Sequence, residues 1–431
     1  MTRRIIFHNA SQVVTCAGPA RGRRGAEMAD AGIRTEVAVG IDDGLIVAVG
    51  AITDVERELA GLERSGDSEY HAQCEYIDCA GRVVTPGLVD SHTHAVFGRP
   101  RYDEQELRAA GAGYMEIAQK GGGIHSSVRD LRLRSEDDLL ALTRARLQRL
   151  ARYGTTTVEI KSGYGLSSED ELKSLRVIAS VQSETNLRVV PTWLGAHEIP
   201  QEYRSGPDGR RRYVEQLVSE QLPTVAREKL ATFADVFCEP GVFTLDETRA
   251  ILEAARARGL KLKLHADELE PSGGAALAAE LGATSADHLA AISEAGIAAL
   301  ASSNTVATLL PGTMFFLGRT RQAPARALIE SGAVVALATD FNPGTSPTPN
   351  LPLIMTIGVS QLHMSVAEVL LATTVNGAAA LGLAGSTGQI ASGFSADVAL
   401  WDCEDAREIP YWYGDARCVA TWCRGEPVHT A

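Results

Sequence analysis

Val84-Thr85-Pro86-Gly87-Leu88-Val89-Asp90-Ser91-His92-Thr93-His94 is the stretch on which the architecture turns. After the Pro-Gly turn signal, the apolar run that begins at Leu88 reads as a buried strand, and it ends on a cluster of polar and ionisable side chains. Seven more runs of strand length follow, at Thr155–Lys161, Leu187–Trp193, Ala234–Glu239, Leu260–His265, Ala283–His288, Asn304–Leu310 and Val334–Thr339. Amphipathic helical stretches separate them. One such stretch is announced by Ser168 with Glu171, after which Leu172, Leu175 and Ile178 line one face. Counted with Leu88–Thr93, these are eight strand–helix units, which predicts an α/β fold built on a (β/α)8 barrel.

The texture differs on both sides of this region. Before it, short β-branched runs alternate with turns at Arg4–Thr15, Glu36–Ile41, Leu45–Val49 and Tyr76–Asp78. After it, strand texture returns at Gly388–Ile390, Asp397–Trp401 and Cys418–Trp422. The two ends are therefore expected to pair into one small β-sandwich-like domain, residues 1–84 with 385–431, beside a barrel of residues 85–384. Gly18–Arg34, rich in Gly, Ala and Arg, has neither helical nor strand period and reads as a solvated loop.

Composition narrows the function classes. With 431 residues, 45% hydrophobic and 22% charged, the chain has the makeup of an ordinary globular protein with a large core. The 54 acidic residues exceed the 41 basic ones by 13, the wrong sign for a surface that tracks phosphates, so nucleic acid is not an expected partner. Seven scattered cysteines without a Cys-x-x-Cys pair suggest neither a disulfide framework nor a thiolate zinc site, and fit a reducing cytoplasm. Arg3 and Arg4 precede only Ile5–Phe7 before His8, too short for a secretory signal, and Thr305–Leu317 contains Pro311 and Gly312 and falls short of a membrane span.

The chemistry is concentrated at the strand ends. They carry His92 and His94, His197, His265 with Glu268, His288, and Asp340, and in a parallel barrel such ends face one cavity at the C-terminal mouth. His92 and His94 lie two apart on a strand, so both imidazoles point to the same face. With His265 and Asp340 they make three nitrogens and one carboxylate, a set suited to one divalent ion, zinc or iron, with positions left for water and substrate. Glu268, His288 and Asp340 are the groups placed to move protons beside such an ion. Lys161, at the end of strand two, reads as an ion pair or a substrate-side contact.

The Val84–His94 stretch resembles the opening metal motif of the amidohydrolase superfamily. Gly154-Thr155-Thr156-Thr157 through Lys161-Ser162-Gly163-Tyr164-Gly165, Gly195-Ala196-His197, His265-Ala266-Asp267-Glu268, Ser285-Ala286-Asp287-His288 and Ala338-Thr339-Asp340-Phe341-Asn342-Pro343-Gly344 narrow the resemblance to the members that open 4-imidazolone-5-propanoate. The resemblance implies hydrolysis of the ring amide to N-formimidoyl-glutamate, and a homodimer. It assigns His92, His94, His265 and Asp340 to the metal and Glu268 and His288 to catalysis. Arg101, Tyr114, Tyr164, His197, Asn342, Gly344 and Thr345 match its substrate contacts. Arg101 also makes independent sense, because a propanoate carboxylate suits a planar, permanently charged fork; its neighbour Arg99 is set aside on the resemblance alone. Tyr114 and Tyr164 could cover the ring, while Asn342-Pro343-Gly344 is as readily an ordinary turn. Another cyclic amidohydrolase or a nucleobase deaminase on the same scaffold is the alternative, and a deaminase has no evident need of Arg101. A noncatalytic barrel is disfavoured because no ligand or proton-transfer group is missing.

Overall fold

The computed structural model describes residues 3–62, 74–112 and 121–430. Eight parallel strands occupy its centre: β1 Leu88–Asp90, β2 Thr155–Lys161, β3 Arg188–Ala196, β4 Phe233–Cys238, β5 Lys261–Ala266, β6 Ser285–His288, β7 Val306–Leu309 and β8 Val335–Leu337. Each pairs with its neighbours in sequence, and the strands are buried along almost their whole length, as expected where helices cover a parallel sheet. The barrel closes just beyond β1 and β8. There the Asp340 amide donates to the His92 carbonyl at 3.0 Å and the His94 amide to the Phe341 carbonyl at 2.9 Å. Asp90 locks this seam from inside, its carboxylate accepting the Thr339 amide at 3.0 Å and the Thr339 hydroxyl at 2.6 Å.

The strand positions agree with the sequence pattern, while the ends shift by a few residues. β1 and β8 are shorter than expected, because the residues that follow them leave the ladder to enter the mouth, and β3 runs on to Ala196. Four helices matter below: α1 Tyr102–Ala109, α2 Ser168–Glu184, α3 Leu245–Arg256 and α4 Pro311–Phe316. The start of α2 corrects the expected capping pair. Ser167, not Ser168, caps the helix by accepting the Asp170 amide at 3.1 Å. Glu171 turns back to accept the amides of Gly163, Gly165 and Leu166 at 2.7–3.1 Å, so it holds the loop that carries Tyr164.

Both chain ends contribute to two further sheets. One pairs Leu45–Gly50, Ala38–Asp42, Arg4–His8 and Cys74–Asp78 in that order. The other runs Glu426–Thr430, Cys418–Cys423, Val398–Trp401, Val83–Pro86, Gln12–Val14 and Ile33–Arg34. Ile5, Phe7, Val39 and Ile41 from the first share a core with Val84, Val398 and Trp422 from the second, and the Phe7 and Trp422 rings meet edge to face at 4.8 Å. The expected strand Arg4–Thr15 is broken at Asn9, whose φ of 57° sends its two halves into different sheets. Gly388–Ile390 is not a strand, although the Ile390 amide reaches the Thr15 carbonyl at 2.8 Å.

Gly18–Arg34 is not the solvated loop its composition suggested. It contains a short 3-10 turn, Gly25–Ala29, whose Met28 is fully buried, and Ile33–Arg34 joins the second sheet. Asn376 clamps it, accepting the Arg23 amide at 2.6 Å and donating to the Arg23 carbonyl at 3.0 Å. Arg23 spends its guanidinium on the carbonyls of Pro19, Arg21 and Cys16 within the same segment. Arg23 therefore serves backbone satisfaction while Arg21 pairs with Glu27, which composition cannot reveal. All seven cysteines are unpaired, and among the described residues no helix is long and apolar enough to cross a membrane.

Candidate active site and metal centre

His92 and His94 leave β1 side by side and buried, their Nε2 atoms 3.3 Å apart. His265, near the end of β5, brings its Nε2 to 3.4 Å from that of His94. Asp340, just past β8, places Oδ1 3.6 Å from His92 Nε2 and 3.4 Å from His94 Nε2. A tetrahedral zinc ion with bonds of about 2.0–2.1 Å sets its ligand atoms about 3.3–3.4 Å apart; His92, His94 and Asp340 gather near that spacing, and His265 meets it from His94. Burial holds the His92 and His94 imidazoles well below their ordinary range, hence neutral with lone pairs free to ligate.

A layer of charged side chains inside the barrel fixes these rings. Asp287 Oδ2 lies 2.6 Å from His92 Nδ1, and Asp235 Oδ2 lies 3.0 Å from His265 Nδ1. On His92 this hydrogen bond sets the tautomer that presents Nε2 as the ligand atom, while the His265 contact is an ion-pair approach without hydrogen-bond geometry. Lys161 pairs with Glu159 at 2.9 Å and Asp235 at 2.7 Å, while Lys263 donates to the Ser91 carbonyl at 2.8 Å and lies 3.2 Å from Glu159. Burial opposes the Lys161 charge, but Asp235 and Glu159 outweigh it and carry its pKa above the ordinary lysine value. Of the two readings offered for Lys161, the ion pair is the one present.

Across the mouth, Glu268 Oε2 stands 3.6 Å from His288 Nε2. Burial, reinforced by the charges of Asp340 and Glu239, pushes the Glu268 carboxyl well above its usual range, which favours its protonated form. Burial pulls His288 down to about 3, leaving its imidazole neutral. Glu239, at the end of β4, accepts the amides of Glu268 at 3.2 Å and Glu270 at 2.8 Å and so ties the Glu268 loop to the barrel rim. Asp340, with φ of 52°, and His288, with φ of 82°, are held in left-handed backbone that non-glycine residues seldom adopt.

Arg101, just before α1, lines the same cavity as His94, His197, Glu268 and Asp340. Its Nε and Nη1 are buried and make no hydrogen bond among the described residues, Glu104 Oε2 standing off at 3.7 Å from Nε, which leaves N–H groups for an anion. Arg99, by contrast, is exposed and pairs with Asp103, so geometry separates two arginines that residue type could not. Gly344 is the floor on which Arg101 lies: a Cβ there would fall 1.8 Å from Arg101 Nη2. His197 stacks on His94 at 5.0 Å, held by Nδ1 on the Gly163 carbonyl at 2.9 Å, and Tyr164 lies 5.4 Å from the His197 ring. Asn342 and Thr345 also line the cavity. The Asn342 side chain is occupied with its own turn, accepting the Gly344 and Thr345 amides and donating to the Asp340 carbonyl. Tyr114 lies outside the described residues.

Glu159, Asp235, Lys263, Glu239 and Thr313 escaped sequence reasoning. For the first three a signal existed, a charged residue at alternate positions of an otherwise apolar strand, as in Val158-Glu159-Ile160-Lys161 and Leu262-Lys263-Leu264-His265. Nothing local marks Thr313, whose partner is distant in sequence.

The description "Amidohydrolase family" matches residues 120–429 of the chain. An imidazolonepropionase of Solibacter usitatus is 45% identical over 421 residues, which are 98% of this chain and 97% of that protein. One from a Geobacillus species is 46% identical over 413 residues, 96% of this chain and 95% of the relative. Among solved structures, a zinc-bound adenosine deaminase of Xanthomonas campestris superposes with a TM-score of 0.69 at 19% identity, covering 98% of this chain and 92% of its own, a likeness of fold alone.

Proposed function

The chain belongs to the amidohydrolase family and, within it, to the imidazolonepropionases, and from this we infer its reaction. It hydrolyses the ring C–N amide bond of 4-imidazolone-5-propanoate, giving N-formimidoyl-L-glutamate in histidine degradation. The observation that best supports the site assignment is the approach of three imidazole nitrogens and one carboxylate oxygen beside an arginine with unspent buried N–H groups.

In this reading His92, His94, His265 and Asp340 hold one divalent ion, zinc or iron. When bound, such an ion lowers the pKa of water from about 15.7 toward 7 and polarises a carbonyl. Arg101 binds the propanoate carboxylate, and Tyr164 and His197 border the ring, so that the carbonyl carbon is presented to the attacking water. Asn342, Gly344 and Thr345 form the turn beneath the carboxylate. Neutral His288 orients that water, and Asp340 takes up its proton. Protonated Glu268 gives its proton to the ring nitrogen as the C–N bond breaks, so that nitrogen leaves as a neutral group. Seven unpaired thiols support a reducing compartment, the cytoplasm, and the family resemblance supports a homodimer, which light scattering would read.

The test is to quantify metal in the purified protein and to follow loss of the imidazolone chromophore beside a panel of hydantoins and aminopurines. We expect about one divalent ion per chain and turnover of imidazolone propanoate above all panel members. Preference for an aminopurine with release of ammonia would overturn the substrate assignment, and full turnover after exhaustive chelation would overturn the metal.

A further inference from the structure

We propose that Thr313 is a positioning residue for Asp340, its hydroxyl holding one carboxylate oxygen so that the other alone faces the imidazoles. The Thr313 Oγ1 donates to Asp340 Oδ2 at 2.6 Å, and both residues are buried. The remaining polar atoms of Asp340 are also accounted for: its amide donates to the His92 carbonyl and its carbonyl accepts from Asn342 Nδ2. Among the described residues, the ion-pair partners of Oδ1 within 4 Å are the imidazole nitrogens of His92 and His94.

This bond is not the usual habit of a helical threonine. Thr143 turns its hydroxyl onto the carbonyl four residues back at 2.7 Å, and Thr373 and Thr374, in the turn that follows their helix, do the same at 2.8 and 2.6 Å. For Thr313, at the start of α4, the carbonyl four residues back belongs to Leu309 on β7, outside the helix. The hydroxyl turns instead to Asp340, just past β8. Without it, a carboxylate on left-handed backbone could rotate and offer either oxygen, or both, to an ion. With it, Asp340 is set as a ligand through one oxygen before any ion arrives.

The inference rests on the metal reading above, and the experiment separates the two. Zinc alone is titrated into chelator-stripped T313V, T313S and D340A in competition with a chromophoric chelator, alongside kcat and KM of the loaded proteins. T313V is expected to bind zinc about 10–100-fold more weakly than wild type, with T313S restoring affinity through its hydroxyl. The same zinc affinity in T313V and wild type, or a T313S as weak as T313V, would overturn the role of Thr313. Should T313V prove insoluble, T313A is read by the same criterion. If D340A binds zinc as wild type does, the metal reading itself falls; if D340A loses zinc and T313V keeps it, only the Thr313 inference falls.

Discussion

Glu268 and Arg101 carry the sharpest consequences of single side chains. Because burial and neighbouring charges favour the protonated form of the Glu268 carboxyl, its replacement by Gln keeps shape and removes the transferable proton. E268Q is expected to lose about 10²–10⁴-fold in kcat while retaining its metal, checked by steady-state kinetics beside elemental analysis. Arg101 should act on binding instead. Loss of a charge-assisted pair is worth about 1.5–3 kcal/mol, so R101M should lower kcat/KM by roughly 10–100-fold, mostly through KM. G344A should reproduce much of that loss with Arg101 intact, because the added methyl occupies the space of the guanidinium. A G344A protein with wild-type KM would show that Arg101 does not need its present seat.

At the level of elements, the barrel strands other than β7 end at or beside an ionisable group that lines or braces the mouth, and the strands were readable because a buried parallel strand is a continuous apolar run. The six side chains proposed for the metal and for proton transfer stood out for a related reason, since each lies in the last two positions of such a run or within three residues of its end. What the pattern could not show was the partner of each group. Asp287 on His92, Asp235 on His265 and Thr313 on Asp340 are pairings across strands, set by barrel register and not by spacing along the chain. The Gly18–Arg34 segment was misread for a related reason: its order comes from Asn376, far away in sequence. The seam gives an element-scale prediction. D90A leaves the buried Thr339 amide and hydroxyl without an acceptor, a cost of about 1–3 kcal/mol that a urea titration should register as a lower midpoint.

Over the whole molecule, an ion bound only by the native state adds to stability by mass action, about 2.7 kcal/mol at a hundred times its Kd. Chelation is therefore expected to lower Tm, and returning zinc or iron to restore it; an unchanged Tm would mean that the four ligands hold no ion. The seam between β1 and β8 has a separate implication for synthesis. Two imidazoles come from the earliest barrel strand and the acid from just past the latest, and they meet only when the sheet joins itself. A polypeptide released before residue 340 is translated lacks the acid proposed to complete the ligand set. Such a truncation is expected to be inert, with hydrolytic power arriving late and all at once.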